Sequence, residues 1–182
     1  MQAVAPIDLL IRRATEADIS ALKGVLARAN ESFRGLVGEG LFASYLASAM
    51  NVERRLAEGD VLAVELHERI VGTITFYRDA RDEGMPVRFP EGTAGIRATA
   101  VDPSARGLGI GRAMVEACIA RAAEAGAIGV GLHTATFMKA AVTTYERCGF
   151  ARVPHYDFEW SQFFPGGPGE AEQATAYLRP IP

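Results

Sequence analysis

Cysteine and histidine are scarce, with two Cys and three His in 182 residues. Neither cysteine lies at a metal-ligand spacing, so a zinc or iron–sulfur framework has no support, and two thiols cannot make a disulfide-dense scaffold. Cys118 and Cys148 fall in helical patterns and read as buried thiols of a reducing compartment. Long apolar runs are also missing. No stretch approaches the roughly 18 residues that span a bilayer, and the start, MQAVAPIDLLIRR, has no apolar core of leader length. A cytoplasmic protein that makes no membrane contact is expected. An excess of one charge is lacking too: 19 Lys and Arg against 22 Asp and Glu leave −3, so no global field draws nucleic acid. Any anion must be bound locally. No internal repeat is present, and the length predicts a single domain over 1–182. With 49% hydrophobic and 23% charged residues, the chain belongs with globular rather than disordered sequences.

Leu9, Leu10 and Ile11 form a short apolar run, and Thr15 and Asp18 resemble a capping box. A strand followed by a helix over about 16–30 is predicted, with Ile19, Leu22, Val25 and Leu26 on one face. A second helix is expected over about 41–57. Alternation at Leu62, Val64 and Leu66, then at Ile70, Gly72, Ile74 and Phe76, reads as a β-hairpin about His67-Glu68-Arg69. The charges, prolines and glycines of 78–93 predict a loop, and 95–101 a strand stopped at Asp102-Pro103. A helix to about 125, a strand over 128–134 and a helix over about 138–147 ended by Gly149 follow. An extended region from Phe150 through Trp160, a loop over Pro165 to Gly169 and a closing strand over 174–178 complete the chain. The order from 95 to 134 is a βαβ unit beside an antiparallel hairpin, hence an α+β fold with a mixed sheet.

The turn Arg106-Gly107-Leu108-Gly109-Ile110-Gly111-Arg112 lies directly after a strand and before a helix. There the first backbone N–H groups have no intrahelical partner, and the helix end carries about half a positive charge. Three glycines clear side chains from the backbone and two arginines add full charges, so a diphosphate is the natural guest. The spacing excludes two familiar nucleotide loops. No Gly-Lys-Ser/Thr ends it, and the glycines fall as G-x-G-x-G rather than G-x-G-x-x-G.

Arg106-x-x-Gly109-x-Gly111 after a strand resembles the acyl-CoA signature of the GNAT superfamily of N-acetyltransferases. Leu10 to Asp18 is similar to that family's first strand and helix start, and Ala98 to Pro103 to its central strand. Ala141-x-x-x-Tyr145-Glu146-x-x-Gly149-Phe150 resembles its second cofactor motif, so the likeness covers about residues 8–160. It implies a three-layer α+β fold, a mixed twisted sheet flanked by helices, whose two central parallel strands splay to admit the pantetheine arm of acetyl-CoA. Those strands would be 95–101 and 128–134.

By the same likeness, backbone groups of Thr99, Ala100 and Val101 hold the pantetheine and polarise the acetyl carbonyl, while Arg106 to Arg112 hold the pyrophosphate. Acetyl-CoA is then the co-substrate, and no metal is expected. A neutral amine attacks the thioester directly, without a cysteine nucleophile, and Tyr145 serves the departing sulfur. A phenol near pKa 10 is a weaker acid than a thiol near 8.5, so full proton transfer is uphill by roughly 2 kcal/mol and Tyr145 mainly donates a hydrogen bond. The family often has Asn where Met138 stands, and this thioether is expected to pack against the arm instead. Many members place a Glu on the central strand where this sequence has Gly95. Glu91 and His133 are the substitutes the sequence offers as general base, beside a water chain or no dedicated base.

Phe33, Phe76, Tyr156 and Phe158 are expected to line the amine pocket. Phe163 and Phe164, with the glycine-proline loop, are expected to form a lid or a homodimer contact. The expected reaction is acetyl transfer from acetyl-CoA to a primary amine of a small molecule. A protein N-terminal or lysine acetyltransferase, and a non-catalytic acyl-CoA-binding module, remain the alternatives.

Overall fold

The computed structural model describes residues 9–166 and 172–182. The start of the chain before Leu9 and Gly167, Pro168 and Gly169 of the expected loop lie outside the described residues. Strands β1 (Leu9–Arg13), β2 (Asp60–Leu66), β3 (Arg69–Tyr77), β4 (Thr93–Val101), β5 (Gly129–Ala135), β6 (Ala151–Arg152), β7 (Phe158–Glu159) and β8 (Gln173–Pro180) make one sheet. Its order is β1-β2-β3-β4-β5-β8-β6, with β7 also on β8, and only β4 with β5 is parallel.

Helices α1 (Ile19–Asn30), α2 (Glu39–Met50), α3 (Val52–Glu58), α4 (Ile110–Glu124) and α5 (Lys139–Arg147) flank the sheet. Alternation along β2 supplies both faces. Val61 and Ala63 pack with Leu22, Val25, Leu26 and Val52 of α1 and α3, while Leu62 and Val64 share a second core with Ile110, Met114 and Cys118 of α4 and Tyr145 of α5. Both cysteines are buried free thiols. No helix among the described residues is long and apolar enough to cross a membrane.

The helix expected over 41–57 is two helices. Asn51, with ψ of 67°, leaves the helical region, and its side chain accepts from the Arg54 N–H at 3.2 Å, capping α3. The hairpin turns on His67 and Glu68 at φ of 50° and 61°, a positive-φ pair that suits the twist of the flanking strands. The region from Phe150 is not continuously extended, because Pro154 opens a 3-10 turn, Pro154–Tyr156, between the two-residue strands β6 and β7. Within 78–93, a 3-10 turn, Ala80–Glu83, carries Glu83 into the interior, and Phe89 is buried as well.

Parallel pairing is confined to Thr93–Gly95 with Gly129–Gly131. Beyond it β4 stays with β3, while β5 continues along β8 as far as Ala135. Arg97 faces Thr75 and Ala100 faces Thr73, so β4 holds one extra residue, and Ala98 stands at φ of 53°. This bulge bends β4 and opens a gap between the two strands.

Helix α5 ends in a Schellman arrangement. The Phe150 N–H donates to the Tyr145 carbonyl at 3.1 Å and the Gly149 N–H to that of Glu146 at 3.0 Å, with Gly149 at φ of 84°. The rings of Phe150 and Tyr145 meet at 6.0 Å, so the cap helps fix the tyrosine. Gly149→Ala is expected to remove about 1–2 kcal/mol of stability, because a Cβ is disfavoured in the left-handed region. Urea denaturation should show a lower midpoint at an unchanged slope.

Candidate active site

The glycine turn sits at one end of the gap. Asp102 anchors its approach, accepting from the Ser104 N–H at 3.0 Å, from the Ser104 hydroxyl at 2.6 Å and from Arg28 Nε at 2.9 Å. These donors, those of Ser104 first, pull its pKa down to about 2 against the effect of burial. Gly107 and Gly109 follow at φ of 82° and 77°, and a Cβ on either would meet nothing within 4 Å. The turn is therefore open over the start of α4, a 15-residue helix. Leu108 is exposed, whereas the Ile110 side chain is buried in the core and only its backbone can serve an anion.

Both arginines of the turn have partners within the protein. Arg106 Nη2 donates to the Ala29 carbonyl at 3.0 Å, and Arg112 Nε donates to Glu116 at 2.7 Å. The second is an exposed i,i+4 pair of a few tenths of a kcal/mol, which a phosphate can displace. The backbone, more than the two guanidiniums, makes this turn fit a pyrophosphate.

A cavity of about 110 Å³ occupies the gap, and Ala98, Thr99, Thr134, Met138, Ala141 and Tyr145 form one part of its wall. Thr134 Oγ1 donates to the Met138 sulfur at 3.6 Å. Burial raises the Tyr145 phenol to about 12, opposed by a hydrogen bond with Thr99. Ala100 is paired with Thr73 and packs into the core with Leu22, Val25 and Leu26, while Val101 is paired with Gly72 and packs against the core on the other face, so neither side chain lines the cavity.

Phe33, Tyr45, Phe158, Trp160 and Phe164 form an aromatic wall, joined by Asn30, Met85, Arg97 and His133. Tyr45 and Trp160 stack at 5.0 Å, and the Tyr45 hydroxyl donates to Asn30 at 2.9 Å. Phe33 and Phe158, expected at the substrate pocket, are on this wall. Phe76 and Tyr156 are not: Phe76 is in the main core, and the Tyr156 ring lies behind, 5.2 Å from that of Phe89.

The two base candidates differ sharply in placement. Glu91 has a side chain 86% exposed, lies 4.0 Å from Arg81 and takes no part in the cavity wall, so the structure does not bring it to the site. His133 lines the cavity between the rings of Phe89 and Phe158, at 5.0 and 4.9 Å. Its Nε2 is 2.9 Å from the Tyr156 carbonyl, which requires a donor, so in the neutral ring Nδ1 carries the lone pair, buried and without a hydrogen-bond partner among the described residues. Burial lowers its pKa and keeps the ring neutral near pH 7.

Two glycines make this arrangement possible. Gly95 and Gly131 are register partners across β4 and β5, and a Cβ on Gly131 would stand 2.6 Å from the Phe89 ring. A Cβ on Gly95 would stand 1.7 Å from Oε1 of Glu83, whose buried carboxyl fills the space over the strand. Glu83 was hidden in an apparent loop. Arg97 is not among the residues the sequence pointed to, although it is the one charge in the otherwise uncharged run Thr93 to Val101.

Residues 26–150 match the model of the Acetyltransferase (GNAT) family. Over 71 residues, 39% of this chain, the sequence is 39% identical to the mycothiol acetyltransferase of Geodermatophilus obscurus, and the match spans about a fifth (21%) of that protein. The fold is similar to that of the ribosomal-protein-S18-alanine N-acetyltransferase from Escherichia coli, with a TM-score of 0.62 and 18% identity over 95% of this chain and 94% of that one. It is also similar to the PaiA N-acetyltransferase from Thermoplasma acidophilum in complex with coenzyme A, with a TM-score of 0.70 and 12% identity over 96% and 100% of the two chains. At such identities the solved structures speak for the fold alone. The family match takes in the glycine turn, the splayed strand β4 and the helix that carries Tyr145, and the chain belongs to the GNAT family of acetyltransferases.

Proposed function

We propose that the protein transfers the acetyl group of acetyl-CoA to a primary amine of a small molecule, by direct attack within a ternary complex. The observation that carries this reading is the gap between β4 and β5, which runs from the open glycine turn to the aromatic-walled cavity. Backbone N–H groups of residues 107–112 bind the pyrophosphate. The pantetheine arm lies along Thr99 to Val101, with Met138 packed against it. Backbone donors on the free edge of β4 polarise the acetyl carbonyl, an effect commonly worth a few kcal/mol.

The neutral amine forms a bond to the carbonyl carbon, and the C–S bond then breaks to release CoA. The amine nitrogen becomes acidic as its new bond forms, and Nδ1 of His133 accepts its proton. Tyr145 donates a hydrogen bond to the sulfur as negative charge develops there. The enclosing rings of Phe33, Trp160 and Phe164 support a small acceptor over a long peptide, which needs an open groove.

Thermal unfolding with and without acetyl-CoA tests the first half, with ATP and NAD as controls. A ligand at 100 times its dissociation constant adds about 2.7 kcal/mol to the native state. For a domain of this size the expected shift is about 5 to 11 °C. No shift at saturation, or an equal one with ATP, overturns the reading.

A further inference from the structure

Among the residues that line the cavity there is no Asp or Glu, and Arg97 is the one side chain there that carries a full charge near neutral pH. An acceptor cavity built for a polycation would show the opposite sign. The Arg97 guanidinium is held from three sides. Nη2 donates to Ser48 Oγ of α2 at 2.7 Å, Nη1 donates to the Glu83 carbonyl at 3.2 Å, and the Phe163 ring lies 5.0 Å from Cζ.

Those bonds engage two of its five N–H groups, and no carboxylate forms an ion pair with it among the described residues. Glu83 offers its main-chain oxygen rather than its carboxyl group, and burial raises the pKa of that carboxyl to about 8. Arg55, itself buried, adds a second positive charge close enough to interact with Arg97. The result is a preorganised planar cation, uncompensated and half-buried, beside an aromatic wall.

We propose that Arg97 binds a carboxylate of the acceptor, so that the substrate class is a small amine carrying a carboxylate and an apolar or aromatic side chain, as in an α-amino acid or the C-terminal residue of a short peptide. The fork of N–H donors matches the two carboxylate oxygens, which a lysine cannot do as well. Tyr45, Trp160 and Phe164 receive the apolar side chain, and the amine is left toward Thr99 and His133 at the splayed end of β4. The inference rests on the acetyl-transfer reading and adds the chemistry of the acceptor.

The test follows CoA release from acetyl-CoA with phenylalanine, methionine and leucine, their decarboxylated amines, an apolar dipeptide and spermidine, for the wild type, Arg97→Gln and Arg97→Lys. The expected result is at least a tenfold preference in kcat/KM for a carboxylated amine over its decarboxylated counterpart. Arg97→Gln should erase it through a raised KM for the carboxylated amine alone, and Arg97→Lys should restore part of it. The dipeptide and the free amino acids distinguish the two sources of the carboxylate.

Equal use of both partners of a pair, preference for spermidine, or no turnover of any carboxylated amine by a protein that acetyl-CoA stabilises would overturn the proposal. So would an Arg97→Gln protein of wild-type melting temperature that loses carboxylated and decarboxylated amines equally. Absence of stabilisation by acetyl-CoA in the wild type is a separate result, and it removes the acetyl-transfer reading itself.

Discussion

Tyr145→Phe is expected to lower kcat at least tenfold and to leave the affinity for acetyl-CoA nearly unchanged. The phenol is buried in the core shared by α4 and α5 and stands at the cavity wall, its pKa raised to about 12 by desolvation. Desolvation acts on the departing thiolate as well as on the phenol, so the ordinary difference of about 1.5 units sets the scale and full transfer of the proton is uphill by roughly 2 kcal/mol. Tyr145 therefore acts as a hydrogen-bond donor. Such a bond to a charged group is worth about 1.5–3 kcal/mol, or roughly 10- to 150-fold in rate.

A neutral thioester sulfur is a poor acceptor, so the bond strengthens only as charge builds on sulfur, and the loss falls on kcat rather than on binding. Phenylalanine preserves the ring contact with Phe150, and the protein should fold normally. Steady-state kinetics beside calorimetric titration of acetyl-CoA make the distinction. An unchanged kcat takes the tyrosine out of the chemistry. Weaker acetyl-CoA binding with kcat preserved would make it a packing residue for the pantetheine arm.

The glycine turn and the end of α5 were legible because they rest on backbone geometry that only a few residues tolerate. Alternate glycines before a helix and Gly149 after one are local signals with local causes, and they locate the turn and the helix that presents Tyr145. The acceptor side was legible only in part: Phe33, Phe158 and His133 line the cavity as expected, but the rest of its geometry comes from packing between distant segments. Ala98 takes a left-handed conformation within a strand, an arrangement its residue type disfavours by roughly 1–2 kcal/mol and no sequence pattern announces. The segment 78–93 looks like solvent-exposed loop from its charges and prolines. Yet Glu83 and Phe89 turn inward over Gly95 and Gly131, glycines that read in the sequence as ordinary strand positions. Phe76 continues the alternation of β3 into the main core, whereas Tyr45 and Trp160, from opposite ends of the chain, meet at 5.0 Å to build the cavity wall. Periodicity predicts which face a side chain takes, but not which distant side chain waits there.

Gly95→Ala should destabilise the protein by about 3 kcal/mol, the range expected when atoms are forced into a closed core. The new Cβ would stand 1.7 Å from Glu83 Oε1, 2.8 Å from its Cδ and 3.0 Å from the Ala80 Cα, so the buried carboxyl must shift while the Ala80 backbone bounds the same space. Removing the carboxyl should relieve the clash: Glu83→Ala combined with Gly95→Ala is expected to recover at least half of the loss. Glu83→Ala alone should have a small net effect, because a cavity is opened while a buried oxygen without a hydrogen-bond partner disappears.

A double-mutant cycle in urea at pH 7 should therefore give a coupling of about 2 kcal/mol, and strictly additive losses would place the carboxyl elsewhere. The carboxyl also leaves a signature in pH. Burial raises its folded pKa to about 8, with Arg97 acting in the opposite direction, against about 4.3 for an unfolded glutamate. Between those values the folded state holds a proton that the unfolded state has lost, so this contribution is complete below about pH 4.3 and declines as pH rises toward about 8. Glu83→Gln lacks the titration, and the stability of the wild type relative to it should fall from pH 5 to pH 8. Parallel curves would mean that the carboxyl is ionised in the fold, and Arg97 would then face a formal negative charge from within the protein rather than from its substrate.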